Sequence, residues 1–414
     1  MQLGVSKIDI TPDVPIEIAG FAHRQGAAET VYSPLWLKIS YFQGETTSFV
    51  LIAADLIWWD DQWVMQLKKQ IADLYQLAEH QICFHATHSH SGPQTSDKFS
   101  VKLGRRDRHY LGQLQESVLQ GIAEAKQDIE EVLFAKQTAS CKLGINRRRF
   151  IDQQIVMAPN SNGSTDDTIS VISFQTVHGK KKAIWLHYSC HPTVTDANQV
   201  SGEFCGAACA EIEQIYPSAV VGYLQGFCGD IRPNLVESQT FIRGTVEDMD
   251  QFGAAFALAA LQLLEQSVQF VPLAAEVKVI EVDINVPLDY TTDPQPPDEL
   301  AKEWRELVKH YREDTMKLQY IRIAEELQLF TCNGELVHAY GLFLREIDSN
   351  ILPLGYANGM IGYVPTAEQI TEGGYESYDS IFYFGLPYPF SPTIEELMKR
   401  KMKELYDQEK ENVT

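Results

Sequence analysis

Ala86-Thr87-His88-Ser89-His90-Ser91-Gly92-Pro93 follows the apolar run Ile82-Cys83-Phe84. The run reads as the end of a strand. If the strand persists, residues two apart share a face, so His88 and His90 project together. Two imidazoles at a strand end, followed by a Gly-Pro turn, make half of a metal site or an acid–base pair. Neutral imidazole suits Zn²⁺, and two further ligands would complete a centre. Alone, the motif reads more simply as two polar residues in a surface loop. Its weight comes from the segments around it.

Working outward, Val5 to Ile10 alternates like a strand and stops at Thr11-Pro12. Leu37–Phe42 and Ser48–Asp55 flank Gly44-Glu45 as a hairpin, and the apolar run 49–54 reads as a central strand buried on both faces. Asp60 or Asp61 caps a helix from about Gln62 to Leu77. Asp107 to Ile129 carries Leu111, Leu114, Val118 and Ile122 at helical spacing, facing a core. Val132–Ile145 is strand-like, and Thr168–Val177 and Lys182–Cys190 form a second hairpin. Phe204–Ile215 and Val246–Gln266 read as helices; Ala219–Gln225 and Leu273–Pro287 read as strands. Asp298–Met316 is a charged helix, and Ile321–Ile323 with Leu327–Phe330 a third hairpin. Phe384–Pro392 is irregular and covers something, and Thr393–Glu411 is an amphipathic helix. No internal repeat is legible. Hairpins interrupt the alternation of strands and helices, so the expected fold class is α/β: a mixed β-sheet core, two sheets, flanked by helices in a single large domain.

Composition narrows the function. The 414 residues are 44% hydrophobic and 22% charged, an ordinary globular profile. A net charge of −22 repels phosphate backbones and anionic membrane surfaces, so nucleic acid is not an expected partner. Seven scattered cysteines with no Cys-x-x-Cys pair argue against a disulfide framework. The N-terminus has no signal-peptide pattern, and no apolar run is long enough for a transmembrane segment. A cytoplasmic protein is the expectation.

Three later strands also end in polar or metal-binding residues. Ile184–Cys190 leads into His191-Pro192-Thr193, where proline restrains His191 to an extended conformation. Val220–Leu224 leads into Gln225-Gly226-Phe227-Cys228-Gly229-Asp230-Ile231-Arg232-Pro233-Asn234, a glycine-rich loop that approaches something closely. Leu327–Cys332 leads into Asn333-Gly334-Glu335, with a helix expected to follow and Glu335 in its first turn.

Together these segments resemble the catalytic N-terminal domain of the neutral/alkaline non-lysosomal ceramidases, zinc-dependent amidases. Thr87–Pro93 is similar to that family's Thr-His-Thr-His-Ser-Gly-Pro, and His191-Pro192-Thr193 to its second histidine motif. Residues 229–234 resemble its Gly-Asp-Val-Ser-Pro-Asn loop. Gly334-Glu335, Gly362-Tyr363-Val364-Pro365-Thr366, Tyr375-Glu376 and Asn146-Arg147 follow its other short motifs. The likeness runs in order from the first strand to about Tyr383.

The resemblance implies one Zn²⁺ per chain, held by His88, His191, Glu335 and Tyr363. It places His90, Arg147 and Tyr375 around the reacting carbonyl, and Asp230, Arg232 and Asn234 in the substrate pocket. It implies hydrolysis of the N-acyl amide of ceramide or a related lipid or small N-acyl compound, hence a role in sphingolipid metabolism. Arg232 stands where the family has serine, which puts a fixed positive charge near the pocket and points to a polar or anionic amide or ester. It also leaves open a metal-containing binding protein that has lost the reaction. Residues 1–414 then form one ceramidase-like zinc hydrolase domain, with a Pro-rich linker or insertion near 287–298 and no C-terminal β-sandwich domain. Two other metallohydrolase classes fit less well. A metallo-β-lactamase needs Asp and His where Ser91 and Gly92 stand, and a TIM-barrel amidohydrolase needs a βα periodicity that the hairpins break.

Overall fold

The computed structural model describes residues 1–312 and 315–411. Among these residues, a nine-stranded mixed sheet and a four-stranded sheet dominate. From edge to edge, the large sheet runs Val220–Gln225, Lys181–Tyr188, Thr168–Thr176, Glu130–Ser140, Gln2–Asp9, Trp36–Gln43, Ser48–Ala54 and Ile82–Ala86. Val271–Pro272 pairs beside Glu130–Ser140. The four-stranded sheet is Lys278–Asn285, Thr315–Ala324, Leu327–Cys332 and Ile351–Leu354. This is the mixed α/β architecture that the hairpin-interrupted pattern predicts.

The large sheet repeats one topology, although the sequence shows no repeat. In each half, the second strand of a hairpin leads through a helix into a parallel neighbour at the edge. The first unit is Ser48–Ala54, helix Asp61–Tyr75 and Ile82–Ala86; the second is Lys181–Tyr188, helix Glu203–Ile215 and Val220–Gln225. A long helix follows each, Arg108–Gln127 and Val246–Leu264. The halves join antiparallel where Gln2 and Leu3 meet Glu131 and Glu130. Each parallel pair presents two adjacent C-terminal strand ends, the place where open α/β sheets bind ligands.

The sheet curls until its two edges are bridged. His85 Nδ1 donates to the Gly355 carbonyl at 3.0 Å, and its Nε2 accepts the Gln225 amide at 2.9 Å. Residues 355–358 complete the stitch: Gly355 N donates to Gln225 O, Ala86 N to Tyr356 O, and Asn358 N to Phe84 O. Burial pushes the His85 imidazole down to about 3, so the ring is neutral and keeps one donor and one acceptor. One core lies between the sheets, where Phe42, Phe174 and Trp185 pack with Ile321, Leu329 and Leu352. Helices cover the other face of the large sheet. Helix Thr393–Glu411 lies against Lys278–Asn285 and Thr315–Ala324, carrying Met398, Met402 and Leu405 into a core shared with Met316, Leu318 and Tyr320.

Several elements differ from their expected bounds. The strand-like stretch 132–145 splits into Glu130–Ser140 and Gly144–Ile151, because the chain turns at Cys141 to pair with Ile231–Pro233. The strand expected from Leu273 begins only at Lys278; Glu276 spends its carboxylate on the Thr46 and Thr47 amides. The helix expected over 298–316 ends at Lys309, and Thr315 already opens a strand; residues 313–314 lie outside the described set. The stretch 287–298 is pinned to the chain's later part, with Ser391 N on Pro287 O and Asp289 N on Pro389 O. Among the described residues, no helix is long and apolar enough to cross a membrane.

Replacing His85 by Leu would leave the Gln225 N–H and Gly355 C=O buried without partners, each costing about 1–3 kcal/mol. Urea unfolding of His85→Leu should show a loss of about 3 kcal/mol; an unchanged midpoint would contradict the bridging role.

Candidate metal centre

The strand Ile82–Ala86 ends two residues before His88, which adopts a left-handed conformation at φ +64°. His88 and His90 therefore meet through a turn, not through the strand pleat. Such a φ is uncommon for a residue other than glycine and is held here by tertiary contacts. His88 Nδ1 donates to Ile57 O at 2.9 Å, and its ring stacks on Tyr356 at 3.8 Å. The His90 ring stands edge-on to it, with Nε2 3.1 Å from His88 Nε2. A Cβ on Gly20, at φ +107°, would overlap His90 Nδ1, so only glycine allows this approach.

His191 is braced in the same way from the other half of the sheet. Its Nδ1 faces the carbonyls of Cys228 at 2.7 Å and Ile231 at 3.0 Å. A carbonyl can only accept, so Nδ1 carries the proton in both His88 and His191, and both Nε2 lone pairs point inward. The loop after one strand of each parallel pair thus holds the histidine that follows the other strand.

Glu335 and Tyr363 face each other in a short parallel pair, Glu335–Leu336 with Tyr363–Val364. Glu335 therefore lies in a strand, not in the first turn of the following helix, which begins at His338. Its Oε2 lies 3.4 Å from His88 Nε2 and 3.3 Å from His191 Nε2. The Tyr363 hydroxyl lies 3.5 Å from His191 Nε2. A regular tetrahedron with arms of about 2.0–2.1 Å has edges of about 3.3–3.4 Å. The two imidazole–carboxylate separations and the tyrosine–imidazole separation match three edges of such a tetrahedron, and the two imidazole nitrogens meet the carboxylate with no proton between them. The donor set fits Zn²⁺. His90 belongs to an overlapping set: ligand atoms of His88, His90 and His191 lie within 4.8 Å of one another.

Burial and mutual contact shift the titratable groups of this centre. Burial works against charge on Glu335, but His88 and His191 outweigh it and hold its carboxyl well below the usual range. Burial and then Arg147 push His191 down to about 4. Burial and the neighbouring His88 push His90 well down. Burial and then Glu335 raise the Tyr363 hydroxyl, and burial first raises Tyr375.

A cavity of about 430 Å³ opens onto this centre. His90, His191, Arg147, Arg232, Tyr363 and Tyr375 line it. Of the three consecutive arginines, only Arg147 reaches the cavity. Its Nε donates to Glu376 at 2.7 Å while its Nη2 is buried without a partner. Burial alone would lower Arg147, but Tyr363 and Glu376 raise it above the usual range. Arg148 takes the second oxygen of Glu376, and Arg149 turns out to Gln239. Tyr375 packs its ring 5.4 Å from that of Tyr363. Phe384, at the start of the irregular 384–392 segment, covers Tyr363 and Trp58.

Asp230 and Asn234 stand apart from the cavity wall. Asp230 spends its side chain on the His338 amide and ring and on Gln369, while its carbonyl accepts the Arg147 amide. Asn234 is exposed, its amide on Leu143 O. The sequence reading missed Tyr356, which also reaches Glu335 Oε2 at 3.4 Å, and Gly20 and Glu376 as positioning groups. Gly355-Tyr356-Ala357-Asn358-Gly359 is punctuated like a loop, but nothing in its spacing pairs Tyr356 with His88.

Fold and site together define a layered α/β protein with a candidate metal centre at the floor of a cavity. The family model described as neutral/alkaline non-lysosomal ceramidase, N-terminal, matches residues 1–251, and the chain belongs to that family. The crystal structure of neutral ceramidase from Pseudomonas aeruginosa shares the fold, with a TM-score of 0.77 at 15% identity over 97% of this chain and 73% of that one. A structure described as ceramidase complexed with C2 gives 0.78 at 14% identity over 99% and 75%. Among curated proteins, none matches the chain significantly.

Asp230 and His338 form a buried pair at 2.9 Å. Burial opposes charge on both, but each partner outweighs it: Asp230 falls to about 2 and His338 rises above its usual value. The pair's contribution is lost as pH falls through about 2, and again as pH rises past His338's raised value. Asp230→Asn should therefore cost about 3 kcal/mol near pH 5.5 and less at pH 9. Unfolding curves at both pH values check this; an equal gap at each would contradict it.

Proposed function

We propose that this chain is a zinc-dependent amidohydrolase that cleaves the N-acyl amide of ceramide or a related N-acylated compound. The observation that carries this reading is the convergence of His88 Nε2 and His191 Nε2 on Glu335 Oε2, at 3.4 and 3.3 Å, beneath a cavity with an unpartnered arginine nitrogen. His88, His191, Glu335 and Tyr363 would hold one Zn²⁺. When bound, zinc makes hydroxide available near neutral pH and polarises a carbonyl.

The chain's own residues supply the rest. The brace on His88 and His191 keeps both Nε2 atoms free of protons. Arg147, locked by Glu376 and permanently charged, directs Nη2 at the oxygen that becomes negative as the amide carbon turns tetrahedral, and Tyr375 donates its hydroxyl to the same oxygen. His90 carries the proton from the attacking water to the departing nitrogen. Its depressed basicity keeps it neutral, so it can accept first and donate afterwards. Residues 1–414 act as one catalytic unit, with sphingolipid or related acyl-amide metabolism in the cytoplasm as the setting. Seven buried free thiols suit a reducing compartment.

Metal content and turnover of three variants test the assignment. His88→Ala should lose both zinc and activity. Tyr375→Phe and His90→Ala should keep zinc and lose about 10²–10³ in kcat, the usual effect of removing one transition-state donor. Full activity in all three, or zinc without turnover of any N-acyl compound in the wild type, would overturn it.

A further inference from the structure

The charge of the cavity wall differs from that of the molecule. The chain carries a net −22, yet Arg147, Arg232 and Arg243 line the cavity with Asp196 as the one carboxylate among the lining residues. Two of these arginines are matched. Arg147 is bound by Glu376, and Arg243 lies 3.1 Å from Asp196, which also holds His23. Arg232 has no carboxylate within salt-bridge reach among the described residues. Its guanidinium sits over the Phe241 ring at 4.7 Å. Stacking holds the cation in place and leaves its in-plane donors open, the arrangement by which arginine recognises carboxylates.

The position of this cation limits the anion it can bind. Strand Ile231–Pro233 pairs with Gly144–Ile151, and Arg232 lies opposite Ile145, two residues from Arg147. Arg232 and Arg147 thus come from neighbouring strands on one wall. Both arginines line the same cavity, so one small ligand can meet both. A carboxylate attached close to the amide nitrogen has the short reach this placement calls for; one at the far end of a long acyl chain does not.

We propose that Arg232 is a specificity-determining residue that binds a carboxylate on the amine half of the substrate, so that the preferred substrates are N-acyl amino acids instead of neutral N-acyl alcohols. This rests on the amidohydrolase reading for its chemistry, but the anion subsite itself does not. Burial first, and then Arg147, lowers Arg232 only to about 10, so it stays charged at neutral pH.

Two matched pairs of compounds test it on the chain of residues 1–414. N-lauroylglycine and N-lauroylethanolamine differ in the carboxylate and report turnover. N-(dodecylsulfonyl)glycine and N-(dodecylsulfonyl)ethanolamine cannot be hydrolysed and report binding by calorimetry. The wild type should favour the glycine compound of each pair by about 10- to 100-fold, the range of one charge-assisted hydrogen-bond set. Arg232→Gln should erase both preferences, chiefly by raising KM and Kd for the glycine compounds, and Arg232→Lys should restore part of them. Equal treatment of the two sulfonamides by the wild type would overturn the proposal without any variant being needed, as would a preference that survives in Arg232→Gln. A binding preference without turnover of either amide would uphold the subsite and overturn the hydrolase reading.

Discussion

The site exists because the two edges of one large sheet are stitched together. His88 follows a strand at one edge, and His191 follows a strand beside the other. In a flat sheet of this width the two would lie far apart. The neutral His85 ring, with one nitrogen on each side of the seam, and the loop 355–358 between the edges bring the strand ends to one place. The same loop carries Tyr356, which stacks on His88 and reaches Glu335. Closure of the sheet and assembly of the candidate centre are therefore one structural event.

Once the edges meet, the duplicated topology does the positioning. Each half offers a backbone carbonyl just beyond one parallel strand to the histidine beyond its neighbour: Ile57 to His88, Cys228 to His191. The two imidazoles are held in one tautomer with their lone pairs aimed inward, before any ion is considered. The left-handed backbone of His88 is a strain that such over-determined surroundings can sustain.

Much of this was legible in the sequence. Hairpin spacing, helix periodicity and the Asp60 cap mark most elements, because these signals are local. The ordered motifs also pick out His88, His191, Glu335 and Tyr363, which the fold brings together. Reasoning from the strand pleat brings His88 and His90 together by a different geometry from the one observed, since a turn at His88 aligns them. What the sequence hid is long-range. His85 looks like a strand residue, Tyr356 like a loop residue, and Asp230 like a pocket residue until its partners His338 and Gln369 are known. The choice among Arg147, Arg148 and Arg149 depends on where Glu376 lies, and no spacing conveys that. Element ends at 140, 278 and 309 are likewise set by tertiary partners that override local pattern.

The central claim is that four side chains from distant strand ends share one divalent cation. Anomalous scattering from a crystal of the zinc-loaded protein, recorded on both sides of the zinc absorption edge, tests it most directly. One peak is predicted, at about 2.0–2.2 Å from His88 Nε2, His191 Nε2 and a Glu335 oxygen, with the Tyr363 hydroxyl completing the shell. Absence of a peak there at full zinc loading, or a peak bound by other residues, would contradict the account.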